Sequence, residues 1–110
     1  MGRWIDYSLP KKKGDPRRPI IPIAIGPYIF QEAVCDFGAS VNIMPKVIYD
    51  KINGDTLLYT NMHLQLVDQS LYYPKGILED IYVRVGQSCV PIDFLVLEIG
   101  GDIRAPIILG

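Results

Sequence analysis

Cysteine and histidine, the residues that most often hold zinc or form cross-links, are scarce in this chain of 110 residues. The two cysteines, Cys35 and Cys89, belong to no CxxC pair, and the single histidine, His63, has no cysteine near it in sequence. Two cysteines do not make the disulfide framework of a small secreted domain, and neither spacing fits a zinc site. We therefore expect free thiols, no metal site and a reducing compartment such as the cytoplasm.

Long hydrophobic runs are also absent. The longest stretch without a charged residue, 19–31, contains three prolines and one glycine, and it is too short to span a bilayer. The first residues lack the apolar core of a secretory signal, so we expect no membrane association. With 49% hydrophobic and 21% charged residues, the composition is that of one small folded domain rather than a disordered chain.

The formal net charge of −1 hides an uneven distribution. Residues 1–18 carry six basic and two acidic side chains, whereas residues 19–110 carry five basic and ten acidic ones. The sequence predicts a basic linker or tail over 1–18 and a folded domain over 19–110. The basic segment could contact phosphate, although a short charged run is more commonly a solvated linker. The acidic body does not resemble a nucleic-acid platform, so we expect no other nucleic-acid contact.

Short β-branched and alternating runs follow one another along residues 19–110, which predicts a mostly β barrel or sandwich. Two runs around the turn Gly26-Pro27 predict a hairpin, and two more flank Gly86-Gln87. The segment Pro45–Ile52 predicts a short helix with Val47, Ile48 and Ile52 on its buried face. Further strands are expected in three places, namely Met62–Val67, Leu71–Tyr73 and Ala105–Leu109.

Asp36 differs from most acidic residues of the chain, which sit in loops or on the polar side of alternating strands. It follows Ala33-Val34-Cys35 and precedes Phe37-Gly38-Ala39-Ser40. A carboxylate in apolar surroundings is costly unless it is hydrogen-bonded, paired or protonated. Gly38 permits a sharp turn, and Ser40 offers a hydroxyl and an amide to the carboxylate. On this pattern alone, the segment is either a functional acid at a strand end or an ordinary turn.

A wider set of motifs resembles the retropepsin-like aspartic protease region of plant gypsy-type retrotransposon gag–pol polyproteins. The matches occur in the same order along nearly the whole chain. They are Leu9-Pro10-Lys11, Asp15-Pro16, Ile21-Pro22, Ile25-Gly26, Val34–Val41, Asn42-Ile43-Met44-Pro45, Leu64–Asp68, Tyr73-Pro74, Gly76–Asp80, Val83–Gly86, Pro91–Phe94, Val96-Leu97 and Pro106–Gly110.

The resemblance implies a small closed acid-protease barrel and a role for each matching residue. Asp36 would be the catalytic aspartate. The turn Phe37, Gly38, Ala39 and Ser40 would present it, with the Ser40 hydroxyl hydrogen-bonded to its carboxylate. A flap covering the substrate would include Val67, Asp68, Gln69, Ser70 and Leu71. The last apolar residues, Ile107–Gly110, would pack beneath the catalytic turn.

Aspartic proteolysis requires two carboxylates that share one proton, whereas the chain has one such turn. A homodimer would supply the second Asp36 across a two-fold axis. The pair would activate a water molecule for attack on a peptide bond of a polyprotein substrate, with no metal or organic cofactor. The resemblance thus predicts an aspartic endopeptidase in the cytoplasm or in a retroelement particle.

Two departures from the family pattern motivate an alternative, a catalytically inactive remnant or interaction module. Phe37 stands where retroviral members usually have a threonine or serine that links the two catalytic loops. The family also continues with a helix and a strand beyond the position of Gly110, and we expect their absence to expose Ile107–Leu109.

Overall fold

The structure is a computed structural model that describes residues 4–7, 19–36, 41–66, 71–98 and 106–110. Within these ranges it contains mostly β-strands and one short helix, as the sequence predicts. In chain order the elements are β1 (Trp4–Tyr7), β2 (Ile20–Ile25), β3 (Tyr28–Cys35), β4 (Asn42–Pro45), α1 (Lys46–Lys51), β5 (His63–Leu66), β6 (Leu71–Tyr72), β7 (Gly76–Val85), β8 (Ser88–Leu97) and β9 (Ile108–Leu109).

Six of the strands form a closed barrel in the order β2-β3-β9-β4-β8-β7, and pairing between β7 and β2 completes the ring. The β2–β3 and β7–β8 neighbours are antiparallel hairpins around the predicted glycine turns. The short β9 is parallel to β3 on one side and antiparallel to β4 on the other. Strand β4 in turn runs parallel to β8.

The main core draws buried side chains from β2, β3, β4, β7 and β8 and from Ile107, the residue before β9. Phe94, Val96 and Val83 are fully buried, as the alternation predicts. Burial of each such side chain stabilises the fold by about 1.5–3 kcal/mol. Leu95, whose side chain lies on the opposite face of β8 from Phe94 and Val96, is also buried. Residues Phe94–Val96 pair with β7 on one side and with β4 on the other, so this part of β8 is an interior strand of the sheet.

The helix is confirmed, but its predicted face is partly wrong. Helix α1 begins at Lys46, after an extended Pro45, and Ile48 packs against the main core. Val47, predicted on the buried face, is 72% exposed. In so short a helix only one narrow face meets the barrel, and Val47, next to Ile48 in sequence, lies about 100° away from it.

A second, three-stranded sheet has the order β1-β5-β6. Strands β5 and β6 form an antiparallel hairpin, and β1 pairs in parallel with β5, with Trp4 opposite His63. The prediction that residues 1–18 form only a linker or tail therefore missed β1. The basic residues at 11–13 and 17–18 lie outside the described residues.

Strand β9 corrects a second expectation. The resemblance to the protease family led us to expect exposed side chains at Ile107–Leu109, but Ile107 and Ile108 are 2% and 1% exposed. Both side chains are buried because β9 lies between β3 and β4 and contributes to the barrel itself. Leu109 is half-buried and packs against the main core.

None of the helical segments in the described ranges has the length and apolar character needed to cross a membrane.

Candidate active site

Asp36 is the residue directly after β3, at the end of the strand where the chain leaves the barrel wall. Asp36 is half-buried. Its backbone N–H donates to the carbonyl oxygen of Leu109 in β9, with an N···O distance of 2.8 Å. The backbone of Asp36 is therefore held by the neighbouring strand even though Asp36 lies past the end of β3.

The two residues before Asp36 are held from both sides. The N–H of Val34 donates to the carbonyl of Ile107 at 2.9 Å, and the N–H of Cys35 donates to the carbonyl of Pro19 at 2.8 Å. Successive N–H groups of a strand point to opposite edges, so β9 holds one edge and the segment preceding β2 holds the other. This double support fixes the direction in which the chain presents Asp36.

Asn42, the first residue of β4, completes the surroundings of β9. Its Oδ1 accepts a hydrogen bond from the N–H of Gly110 at 2.9 Å, and its Nδ2 donates to the carbonyl of Asp93 at 3.3 Å. One side chain thus connects the start of β4, the chain just after β9 and strand β8. Sequence reasoning did not select Asn42, although a polar side chain between Val41 and Ile43 was a usable signal.

A second apolar cluster lies between the barrel and the β5–β6 hairpin. Its buried members come from five strands, and Leu64 of β5 is only 1% exposed. Met62, Val41 and Tyr72 pack against them. The buried residues are Val34, Ile43, Leu64, Leu97 and Ile108. Since Val34 precedes Asp36 by two residues, this cluster anchors the base of the hairpin to the strand that carries Asp36.

The hairpin itself has the strand pairing expected of the predicted flap. Leu64 is opposite Tyr72, and Gln65 is opposite Leu71 in an antiparallel register. Leu71 is partly exposed. The rest of the predicted flap tip, Val67–Ser70, lies outside the described residues, as do the predicted turn residues Phe37, Gly38, Ala39 and Ser40. Of the predicted site residues, the structure describes Asp36 and Leu71.

Cys35, next to Asp36, is a free thiol whose pKa is raised because burial disfavours the charged thiolate. A thiol of this kind stays protonated at neutral pH and is a poor nucleophile. Cys35 therefore fits a packing role, as the sequence predicts. Cys89 is free and exposed at the start of β8.

Two other acidic residues take part in a β-bulge rather than in the candidate site. The β7–β8 register shifts between Leu78 and Ile81, and Asp80 has a φ of 55°. The N–H of Asp80 donates to Oδ1 of Asp93 at 2.8 Å, which compensates for the interrupted ladder. In the described part of the chain, no group of three or more histidine, cysteine or acidic residues could hold a metal ion.

His63 packs edge-on against Tyr73, with ring centroids 4.9 Å apart. The contact joins His63 of β5 to the residue that follows β6.

A groove of about 430 Å³ lies on the surface of the barrel. It is lined by β3, α1 and the segment leading into β9, through residues Ile29–Ala33, Ile48, Lys51, Pro106 and Ile107.

Comparisons with models of known protein families, with curated proteins and with solved structures returned no match to this chain. Membership of the retropepsin-like family therefore stays a prediction from the sequence motifs.

Proposed function

We propose that this chain is a retropepsin-like aspartic endopeptidase domain that becomes active as a homodimer. The observation that carries the proposal is the position of Asp36. This acid follows a barrel strand, its amide is held by Leu109, and the same apolar cluster that supports its strand anchors a hairpin. A rigidly held acid beside a hairpin of this kind suits an enzyme that closes over an extended peptide.

The chemistry follows from two Asp36 side chains meeting across a two-fold axis. Like charges at short distance disfavour double ionisation, so the pair retains one shared proton. The ionised carboxylate takes a proton from a water molecule, which attacks the scissile carbonyl, while the protonated carboxyl polarises the carbonyl oxygen. Proton transfer to the departing amine then completes hydrolysis. The two acids titrate as a coupled pair.

The substrate class and the setting come from the sequence resemblance. They are a peptide bond in a retroelement polyprotein, cut in the cytoplasm or in a retroelement particle. The specificity pockets would be formed by residues of both subunits.

The proposal is tested by cleavage of a mixed peptide library at acidic pH, with and without pepstatin. We expect the wild type to cleave and Asp36→Asn to lose activity by about 10³-fold, because general acid–base catalysis contributes on the order of 10²–10⁴. Asp55→Asn makes the same chemical change at an exposed loop position and serves as the matched control. It should keep full activity.

Equal cleavage by wild type and Asp36→Asn would reject the protease assignment. A folded wild type that cleaves nothing and binds no peptidomimetic inhibitor would favour the alternative, an inactive retropepsin-like module.

A further inference from the structure

The peptide unit between Leu109 and Gly110 is hydrogen-bonded to two residues, Asp36 just after β3 and Asn42 at the start of β4. Its carbonyl oxygen accepts from the N–H of Asp36 at 2.8 Å. Its N–H donates to Oδ1 of Asn42 at 2.9 Å. Because both groups belong to one planar unit, the position of the Leu109 carbonyl depends on how the Gly110 N–H is held.

The Asn42 amide has only one orientation that satisfies both of its neighbours. Nδ2 donates to the carbonyl of Asp93, which leaves Oδ1 as the acceptor for the Gly110 N–H. If the amide were flipped, Oδ1 would face the Asp93 carbonyl oxygen, acceptor against acceptor, and Nδ2 would face the Gly110 N–H, donor against donor. The contact to Asp93 therefore fixes the acceptor that faces Gly110.

The backbone of Asn42 is fixed as well. Asn42 is opposite Phe94 in the parallel β4–β8 pairing, and the next residue, Ile43, is opposite Ile108 of β9. Ile43 and Phe94 are fully buried. Asn42 thus projects from a rigid part of the barrel towards the chain that supports Asp36.

We propose that Asn42 is a positioning residue for Asp36, acting through the Leu109–Gly110 peptide unit. This role rests on the proposed function, because the geometry of Asp36 matters for catalysis only if Asp36 reacts. Asn42 does not touch the reacting groups. It holds the peptide unit whose carbonyl fixes the position of the Asp36 backbone at the end of β3. A polarised N–H also makes its carbonyl a better acceptor, which strengthens the bond to Asp36.

The test compares Asn42→Ala with Ile108→Val in the full chain. Ile108→Val removes one buried methyl group from β9 and lowers stability without touching this hydrogen-bond chain. In Asn42→Ala we expect the amide hydrogens of Gly110 and Asp36 to exchange about fivefold faster than in Ile108→Val, after each rate is corrected for measured stability. We also expect kcat to fall about tenfold while KM stays within about twofold, since a misplaced acid impairs the reaction more than binding.

Asn42→Asp is the second variant, nearly equal in shape. It keeps an oxygen for the Gly110 N–H and loses the donor to Asp93. We expect exchange at Asp36 to stay within about twofold of wild type, whether or not Asn42→Ala folds well. Any of three results for the Asp36 amide would overturn the assignment. The first is an exchange rate in Asn42→Ala equal to that of wild type, and the second is one equal to that of Ile108→Val. The third is exchange as fast in Asn42→Asp as in Asn42→Ala.

Amide exchange also separates this inference from the proposed function. A wild type that cleaves no peptide rejects the protease, whereas coupling between Asn42 and the Asp36 amide is still decided by the exchange rates.

Discussion

Gly76, the first residue of β7, lies where the chain passes close to the backbone of a neighbouring segment. Its φ is 156°, and a Cβ atom built there would lie 2.7 Å from both the Leu57 Cβ and the Leu58 carbonyl oxygen. The backbone of Leu58 is itself fixed by two hydrogen bonds with Ile77, each 2.9 Å long. The close approach therefore has no room to relax.

Gly76→Ala is expected to lower the free energy of unfolding by about 2–3 kcal/mol, because backbone must shift as well as side chain. The measurement is urea denaturation followed by fluorescence. Gly86→Ala is the control, since its Cβ would enter open space and only the φ of 62° is unfavourable. It should cost about 1 kcal/mol. Equal losses would contradict the crowding seen at Gly76.

At the level of single residues, the sequence singles out Asp36 as a candidate because a carboxylate among apolar residues is costly unless it is hydrogen-bonded, paired or protonated. Asn42 has a similar signal, but its meaning depends on Gly110, 68 positions away. A hydrogen bond of that kind is set by strand register, which local sequence does not specify.

At the level of elements, β9 has an importance out of proportion to its two residues. It supplies one edge to β3 and one to β4, and its Ile108 belongs to the cluster that also anchors the hairpin. Loss of packing in β9 should therefore affect the barrel and the surroundings of Asp36 together.

Ile108→Ala should lower the free energy of unfolding by about 2–5 kcal/mol, through lost burial and the cavity left behind. Ile29→Ala makes the same chemical change in β3 at a side chain that is 67% exposed. It should alter stability by about 0.5 kcal/mol or less. Chemical denaturation of both variants checks the difference, and similar midpoints would show that β9 does not bury Ile108.

Strands and turns were predicted correctly where a few neighbouring residues were enough to define them. Gly26 and Gly86, both at positive φ, mark the two hairpin turns that the sequence predicts. The prediction failed for β1, whose four residues lack a recognisable period and take their strand conformation from β5. It failed for Val47 because six helical residues do not define a face by pattern alone.

At the level of the whole molecule, the proposed site requires two chains, and mixing experiments test this directly. When wild type is fully dimeric, adding an equal amount of Asp36→Asn should reduce its activity to about half, because half of the wild-type chains then pair with an inactive partner. Adding the same amount of Asp55→Asn should raise total activity. If the activity of wild type does not change when Asp36→Asn is added, the complete site lies in one chain.

The order of strands in the barrel is the part of the fold that sequence patterns did not provide. The hairpins β2–β3 and β7–β8 join neighbours in the chain, and both were predicted. The parallel pairs β3–β9 and β4–β8 join distant segments, and nothing in the alternation of Ile43 or Ile108 names the partner strand. The closed barrel came from the family resemblance, and the structure confirms the closure.

The place of β9 between β3 and β4 also has a consequence during protein synthesis. Val34 leaves the ribosome long before Ile108, its partner in the barrel. Until Ile108 follows, the facing edges of β3 and β4 have no strand between them, and the nascent chain cannot complete its ring of hydrogen bonds. Folding must therefore finish after the β9 residues emerge, and the waiting edges are the surfaces that a chaperone would need to shield from other chains.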